Sequence, residues 1–265
     1  MNNHLFACVA GMLLLCLALA GVSSAAIHTE TVPYKCGDVT LKGYLAYDDT
    51  TTAKRPGVLV APEWWGLNDY ARMRAEKVAG LGYVALAIDL YGDGKTTTSF
   101  DEATKLSGAL RGTPLMRERA RAAFDVLAKN PLVDPARIAA IGYCFGGTTV
   151  LELAYSGAPL KGVVTFHGGL TTPTPEDVAN IKAKFLILHG ADDTFETPEQ
   201  IAAFQDAMRK GAFDWQMVYF GGAVHSFTNP NSNSYNMKGV GYNEKADKRS
   251  WEYMKTFLSE LFAQQ

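Results

Sequence analysis

The 265-residue chain has only four cysteines, and two of them, Cys8 and Cys16, lie close to its start. Beyond residue 25 only Cys36 and Cys144 remain, too few for a disulfide framework. The chain also lacks excess charge: 25 Lys and Arg stand against 27 Asp and Glu, a net −2. That balance gives no argument for nucleic acid or an anionic membrane surface as partner, and neither is expected. There is no internal repeat, low-complexity tract or long charge run, which excludes solenoids, Gly/Ser linkers and charged tails. What remains is an ordinary globular mixture, 48% hydrophobic and 20% charged, long enough for one α/β domain with a sizeable core.

The N-terminus departs from this pattern. No residue from Leu5 to Val22 is charged, and Leu13-Leu14-Leu15-Cys16-Leu17 forms a dense apolar centre. Ser23-Ser24-Ala25 supplies the small residues of a signal-peptidase site, with Ser24-Ala25-Ala26 as an alternative one residue on. The leading Met1-Asn2-Asn3-His4 carries no Lys or Arg. An uncleaved anchor is the competing reading, because an apolar run of this length could just span a bilayer. Cleavage is favoured because small residues close the run and no basic stop-transfer cluster follows. Residues 1–25 are therefore expected to be a signal peptide and 26–265 a single domain, exported to the periplasm or secreted, with no membrane contact after cleavage. Export raises the question of a Cys36–Cys144 disulfide. Cys36 belongs to an N-terminal strand region and Cys144 to a catalytic-looking turn, so both are expected to be free thiols.

Along the mature chain, Val39 to Tyr47 alternates like an antiparallel edge strand, with Leu41, Gly43, Leu45 and Tyr47 on one side. Gly57-Val58-Leu59-Val60-Ala61 and Tyr83–Ile88 are short apolar runs suited to strands buried on both faces, as are Gly162–Phe166, Phe185–Leu188 and Gln216–Tyr219. Helices are expected after Asn68, after Ser99 with Asp101 and Glu102 in the first turn, from Pro114 to Lys129, and from Thr197 to about Gly211. A final amphipathic helix covers about 244–262, with Trp251, Met254, Phe257, Leu258 and Leu261 on its apolar face. Strands alternating with helices imply an α/β fold, a mostly parallel sheet covered on both faces, whose strand C-termini converge on one rim.

Gly142-Tyr143-Cys144-Phe145-Gly146-Gly147 sits at such a rim. It has the glycine framework of a nucleophile elbow, G-x-S-x-G, with cysteine in place of serine. The strand-like run Arg137–Ile141 precedes it and the helix-like Thr148–Ser156 follows. A sharp strand-to-helix turn strains its central residue, and the flanking glycines leave room for it. The side chain is pushed out at a helix N-terminus, where free N–H groups favour a thiolate.

A nucleophile of this kind wants a base, and the base an orienting acceptor, in the order nucleophile, acid, histidine. Of five histidines, His225 in Gly221-Gly222-Ala223-Val224-His225-Ser226-Phe227 follows the last strand and fits that order. His4 goes with the leader, His28 with a frayed N-terminus, and His167 and His189 read as hydrogen-bonded packing residues at strand ends. The acid should come from Gly190-Ala191-Asp192-Asp193-Thr194-Phe195. Of the two adjacent aspartates only one can reach the imidazole, and the residues themselves do not say which.

With these segments in view the chain resembles the dienelactone hydrolase family of α/β-hydrolases, over about Val39 to Phe262. The resemblance is carried by Ala61-Pro62-Glu63-Trp64-Trp65-Gly66-Leu67-Asn68, Ala87-Ile88-Asp89-Leu90-Tyr91, the elbow, Gly190-Ala191-Asp192-Asp193 and His225-Ser226-Phe227. It implies an α/β-hydrolase fold and a Cys144–His225–Asp193 triad, with Glu63 contacting the resting thiol and helping to control its ionisation. It further implies acyl transfer on small esters or lactones, with the backbone N–H groups of Trp64 and Phe145 as oxyanion hole. No metal or organic cofactor is called for. Family members that act on dienelactone carry arginines that grip its carboxylate. At the matching places this chain has Gly92-Asp93 and Thr228-Asn229, so an uncharged, more apolar substrate is expected, with Trp65, Tyr91 and Phe227 as its contacts. A binding or redox-sensing protein on a hydrolase scaffold is the alternative; a peptidase is disfavoured because an amine leaves less readily than a thiolate.

Overall fold

A sheet whose strands are apolar on both faces is stable only with helices packed on each side. The computed structural model, which describes residues 26–263, has that arrangement. Eight strands form one sheet: β1 (Ile27–Cys36), β2 (Val39–Asp48), β3 (Arg55–Ala61), β4 (Val84–Ala87), β5 (Val133–Tyr143), β6 (Gly162–Phe166), β7 (Lys184–Gly190) and β8 (Trp215–Phe220). Their spatial order is β1-β2-β4-β3-β5-β6-β7-β8, with β1 and β2 antiparallel and β3 to β8 parallel. The helices are α1 (Asp69–Ala79), α2 (Phe100–Gly108), α3 (Pro114–Lys129), α4 (Phe145–Tyr155), the single turn α5 (Pro175–Val178), α6 (Pro198–Lys210) and α7 (Glu244–Ala263). The signal peptide expected at 1–25 lies outside the described residues. Among the described residues no helix is long and apolar enough to cross a membrane.

Strand β3 shows how period two builds two cores. Leu59 and Ala61 join Phe124, Leu127, Leu151, Phe185 and Phe204 under α3, α4 and α6. Val58 and Val60 point the other way, to Val78, Met254 and Leu258 under α1 and α7. The helix starts lie where their caps placed them. Asn68 accepts from the Ala71 N–H, Ser99 from that of Glu102, and Thr197 forms a capping box with Gln200. The alternation expected of β2 is present, but β2 is not an edge. Residues 27–36, His28 among them, pair with it along its whole length. The His28 ring packs 4.9 Å from that of Tyr47. The polar stretch of β1 carries little apolar pattern of its own, and its pairing comes from a tight turn at Gly37, whose φ is +56°.

The chain runs from β3 outward to β4 on one side and from β5 outward to β6 on the other. Their C-terminal loops therefore part and leave a crevice at the rim, the usual place for a site in such sheets.

Candidate active site

The elbow sits at the end of β5. Cys144 has φ +52° and ψ −116°, a strained conformation for a residue with a Cβ. The glycines around it are steric requirements. A Cβ on Gly142 would fall on the Gly146 carbonyl, and one on Gly146 would fall on the carbonyl of Ala61 in β3. Cys144 is the N-cap residue of α4, so its sulfur stands at the positive end of that helix.

Two later loops bring partners to the sulfur. His225 Nε2 lies 3.0 Å from Cys144 Sγ, and His225 Nδ1 lies 2.9 Å from Asp193 Oδ2. Asp193 Oδ1 accepts from the Phe195 N–H at 2.9 Å. The neighbouring Asp192 is exposed, which resolves the choice between the two aspartates. The His225 backbone is clamped by residues 239–241: its N–H donates to Gly239 O and its carbonyl accepts from the Gly241 N–H, both at 3.0 Å. The Phe195 ring lies 4.6 Å from the imidazole. Burial lowers the His225 pKa, but the sulfur and the Asp193 carboxylate outweigh it and hold it well above the ordinary imidazole value. The arrangement favours a protonated imidazole beside the sulfur.

The other expected residues fall in different places. The N–H groups of Trp64 and Phe145 donate to no protein acceptor among the described residues, and both residues line the cavity over the sulfur, as does Trp65. Tyr91 stands behind that wall: its hydroxyl donates to the Trp64 carbonyl at 2.7 Å and its ring stacks 6.2 Å from Phe145. Phe227 lies outside the cavity wall. It is 0% exposed and packs edge-on to His167 and against Phe220, because side chains 225 and 227 of this loop diverge, one to the sulfur and one to the core. The expected contact between Glu63 and the thiol is also missing. Both Glu63 oxygens are taken, one by the Ser226 hydroxyl at 2.8 Å and one by Asn229 Nδ2 at 2.7 Å. Burial raises the Glu63 pKa against these two donors. Asp93, at one of the places where family members carry an arginine, is exposed and pairs with Lys42 at 3.5 Å, outside the cavity.

The cavity has a volume of about 260 Å³. It contains groups that the sequence patterns did not single out. The Arg111 guanidinium lies 4.8 Å over the Phe145 ring. Glu196 reaches the same space, its carboxyl pushed up chiefly by burial. Tyr235, Met237 and Val240 come from the stretch that leads into the clamp on His225. None of these stands in a recurring motif, and their loops carry no periodicity that would have signalled them.

Behind the sulfur runs a sealed polar layer. The Cys144 N–H donates to His167 Nδ1 at 3.1 Å, and His167 Nε2 lies 2.7 Å from Thr228 Oγ1. Thr228 Oγ1 is 2.6 Å from the Tyr70 hydroxyl, which also accepts from Arg74 Nε at 3.2 Å. Arg74, 2% exposed, donates to Thr228 O and to Asp247 Oδ1, both at 2.6 Å. Burial first, then the charges of His225 and Arg74, hold His167 well below the ordinary value, hence neutral. Asp89, in the Ala-Ile-Asp-Leu-Tyr segment, is also structural: its carboxylate accepts from the N–H groups of Lys42, Tyr91, Gly92 and Gly94. Among the described residues Cys36 and Cys144 are both free.

The dienelactone hydrolase family pattern matches residues 41–262. A putative carboxymethylenebutenolidase of Salmonella typhimurium is 28% identical, covering 92% of this chain and 87% of its own. One from Aquifex aeolicus is 25% identical, with 86% and 99% covered. Among solved structures, a dienelactone-hydrolase-like promiscuous phosphotriesterase from metagenomic libraries is 42% identical, with a TM-score of 0.86, 90% of this chain and 99% of that one covered. A putative dienelactone hydrolase from Klebsiella pneumoniae, 22% identical with 88% and 99% covered, shares the fold at a TM-score of 0.73. The chain belongs to the dienelactone hydrolase family and is an ester hydrolase with the α/β-hydrolase fold.

Proposed function

We propose that the protein hydrolyses small activated carboxylic esters or lactones through a Cys144–His225–Asp193 triad and a thioester acyl-enzyme. The observation that carries this reading is the continuous contact from sulfur to imidazole to carboxylate, at 3.0 and 2.9 Å. The thiolate attacks the ester carbonyl carbon, and the N–H groups of Trp64 and Phe145 receive the oxyanion. As the carbon–oxygen bond breaks, the His225 imidazolium gives its proton to the leaving oxygen. Neutral His225 then takes a proton from water, the hydroxide attacks the thioester, and the carboxylic acid departs as the thiolate reforms. Asp193 keeps Nδ1 protonated so that Nε2 faces the sulfur. Glu63, through Ser226, is a positioning residue for the loop that carries His225.

The cavity is at the small end of ligand sites, which supports a small substrate. Arg111 and Glu196 give its wall one charge of each sign, and neither arginine position associated with dienelactone binding is filled. Both features support an uncharged ester or lactone over dienelactone itself. The apolar leader supports export, which N-terminal sequencing of the protein from its host would test: a start at Met1 would refute cleavage. Turnover of p-nitrophenyl acetate that is lost after iodoacetamide treatment is the expected result for the reaction; absence of turnover in untreated protein at any pH would refute it.

A further inference from the structure

Tyr235 has no part in the chemistry above, yet it lines the cavity together with Cys144 and His225. It ends a 3-10 turn, Ser232–Tyr235, shortly before the residues that clamp His225. Its hydroxyl accepts a hydrogen bond from Asn229 Nδ2 at 3.0 Å. The orientation of that amide is settled on two sides. Asn229 Nδ2 also donates to the Glu63 carboxylate at 2.7 Å, and Asn229 Oδ1 accepts from the Asn231 N–H at 3.0 Å. Both amide hydrogens are thus spent, one on Glu63 and one on Tyr235, and no acceptor atom of Asn229 faces the phenol.

The phenolic proton therefore cannot be given back along this chain. No acceptor among the described residues takes it. Tyr235 is left as a donor with an open valence on the wall of a cavity built for an ester. The ring packs 5.1 Å from Trp65, which restricts where the hydroxyl can swing. Burial, with the Glu63 charge, pushes its pKa up to about 12, so the proton is present throughout the neutral range.

We propose that Tyr235 is a further catalytic residue, a fixed hydrogen-bond donor to an oxygen of the scissile ester or lactone group. A donor aimed at an oxygen that gains charge during attack binds the transition state more tightly than the ground state. Glu63 acquires a second task in this arrangement, since its carboxylate turns the Asn229 amide and the amide turns the phenol. The proposal rests on the ester-hydrolase reading above.

Tyr235→Phe removes one oxygen and keeps the ring. Two rates are measured on wild type and variant: kcat/KM for p-nitrophenyl acetate, and second-order alkylation of Cys144 by iodoacetamide. Alkylation is displacement at a saturated carbon and develops no oxyanion. The ester rate should fall about ten- to a hundredfold in the variant. Alkylation should stay within about twofold, because the nucleophile is untouched. An unchanged ester rate overturns the proposal. So does an equal loss in both rates, which would make Tyr235 a support for the thiol. Wild-type protein that is alkylated but turns over no activated ester would refute the hydrolase reading itself, and the proposal with it.

Discussion

The cavity above Cys144 and the polar layer sealed behind it use similar side chains in opposite ways. In the layer, His167, Thr228, Tyr70, Arg74 and Asp247 bond to one another, and the Cys144 N–H closes the chain at its inner end. In the cavity, the Trp64 and Phe145 N–H groups and the Tyr235 proton meet no acceptor among the described residues, and the sulfur opens on the space they line. Buried polar groups that only support a structure are stable when every partner is internal. Groups that act on a substrate must leave one partner to be supplied. His225 and His167 carry the difference furthest: their rings are 5.4 Å apart, yet sulfur and carboxylate push the pKa of one up while burial pushes that of the other down.

The sharpest way to break this comparison is at the reacting atoms. Cys144→Ala and His225→Ala should each remove the p-nitrophenol burst altogether, and Asp193→Asn should lower kcat by about 10⁴-fold by reversing the imidazole tautomer. Full activity in any of the three would end the triad reading. Glu63→Leu tests the boundary between the two regions. It leaves Ser226 and Asn229 without their acceptor, at about 1–3 kcal/mol for each group, so urea unfolding should show a large loss of stability. Iodoacetamide alkylation should fall only as far as the His225 loop is displaced, since Glu63 makes no bond to the thiol. A collapse of alkylation with stability intact would mean that Glu63 acts on the sulfur after all.

A third test separates the two histidines. His167 has a lowered folded pKa, so below about pH 6.5 the unfolded chain binds a proton that the folded chain refuses. Its contribution is present above that pH and lost as pH falls. Glu63 and Glu196, with raised values, act in the opposite sense, so the readout is a difference. The stability of wild type minus His167→Gln should shrink by up to about 1.4 kcal/mol per pH unit on acidification below pH 6.5. A difference independent of pH would show that His167 takes up its proton as readily in the fold as in the unfolded chain. The smallest effect expected is spectroscopic. In Cys144→Ala the His225 imidazole loses the sulfur that raises its pKa most, so its NMR titration should move down; an unmoved titration would assign the shift to Asp193 alone.

The local features were legible because they depend on near neighbours. Asn68, Ser99 and Thr197 mark helix starts, alternation marks β2, and the glycines around Cys144 mark a turn that only they permit. His225 was found by chain order, since the fold class ties position along the sequence to position on the rim. Asp193 needed the family resemblance, because two adjacent aspartates carry the same local signal. Cys36 reads as part of a strand region, but the extent of β1 back to Ile27 is not legible for want of apolar alternation, and Phe227 reads as a substrate contact because nothing local tells which way a loop side chain turns.

What the sequence determined by itself was the alternation of strand and helix, and with it the rim where sulfur, imidazole and carboxylate could meet, because backbone geometry and burial act over a few residues at a time. The tertiary structure alone decided who satisfies whom: Glu63 against Ser226 and Asn229 rather than the thiol, Arg111 and Glu196 in the cavity, Tyr235 left with a proton to give. Hydrogen-bond valence is a property of groups meeting in space, and those groups come from segments more than a hundred residues apart, such as Glu63 and Asn229.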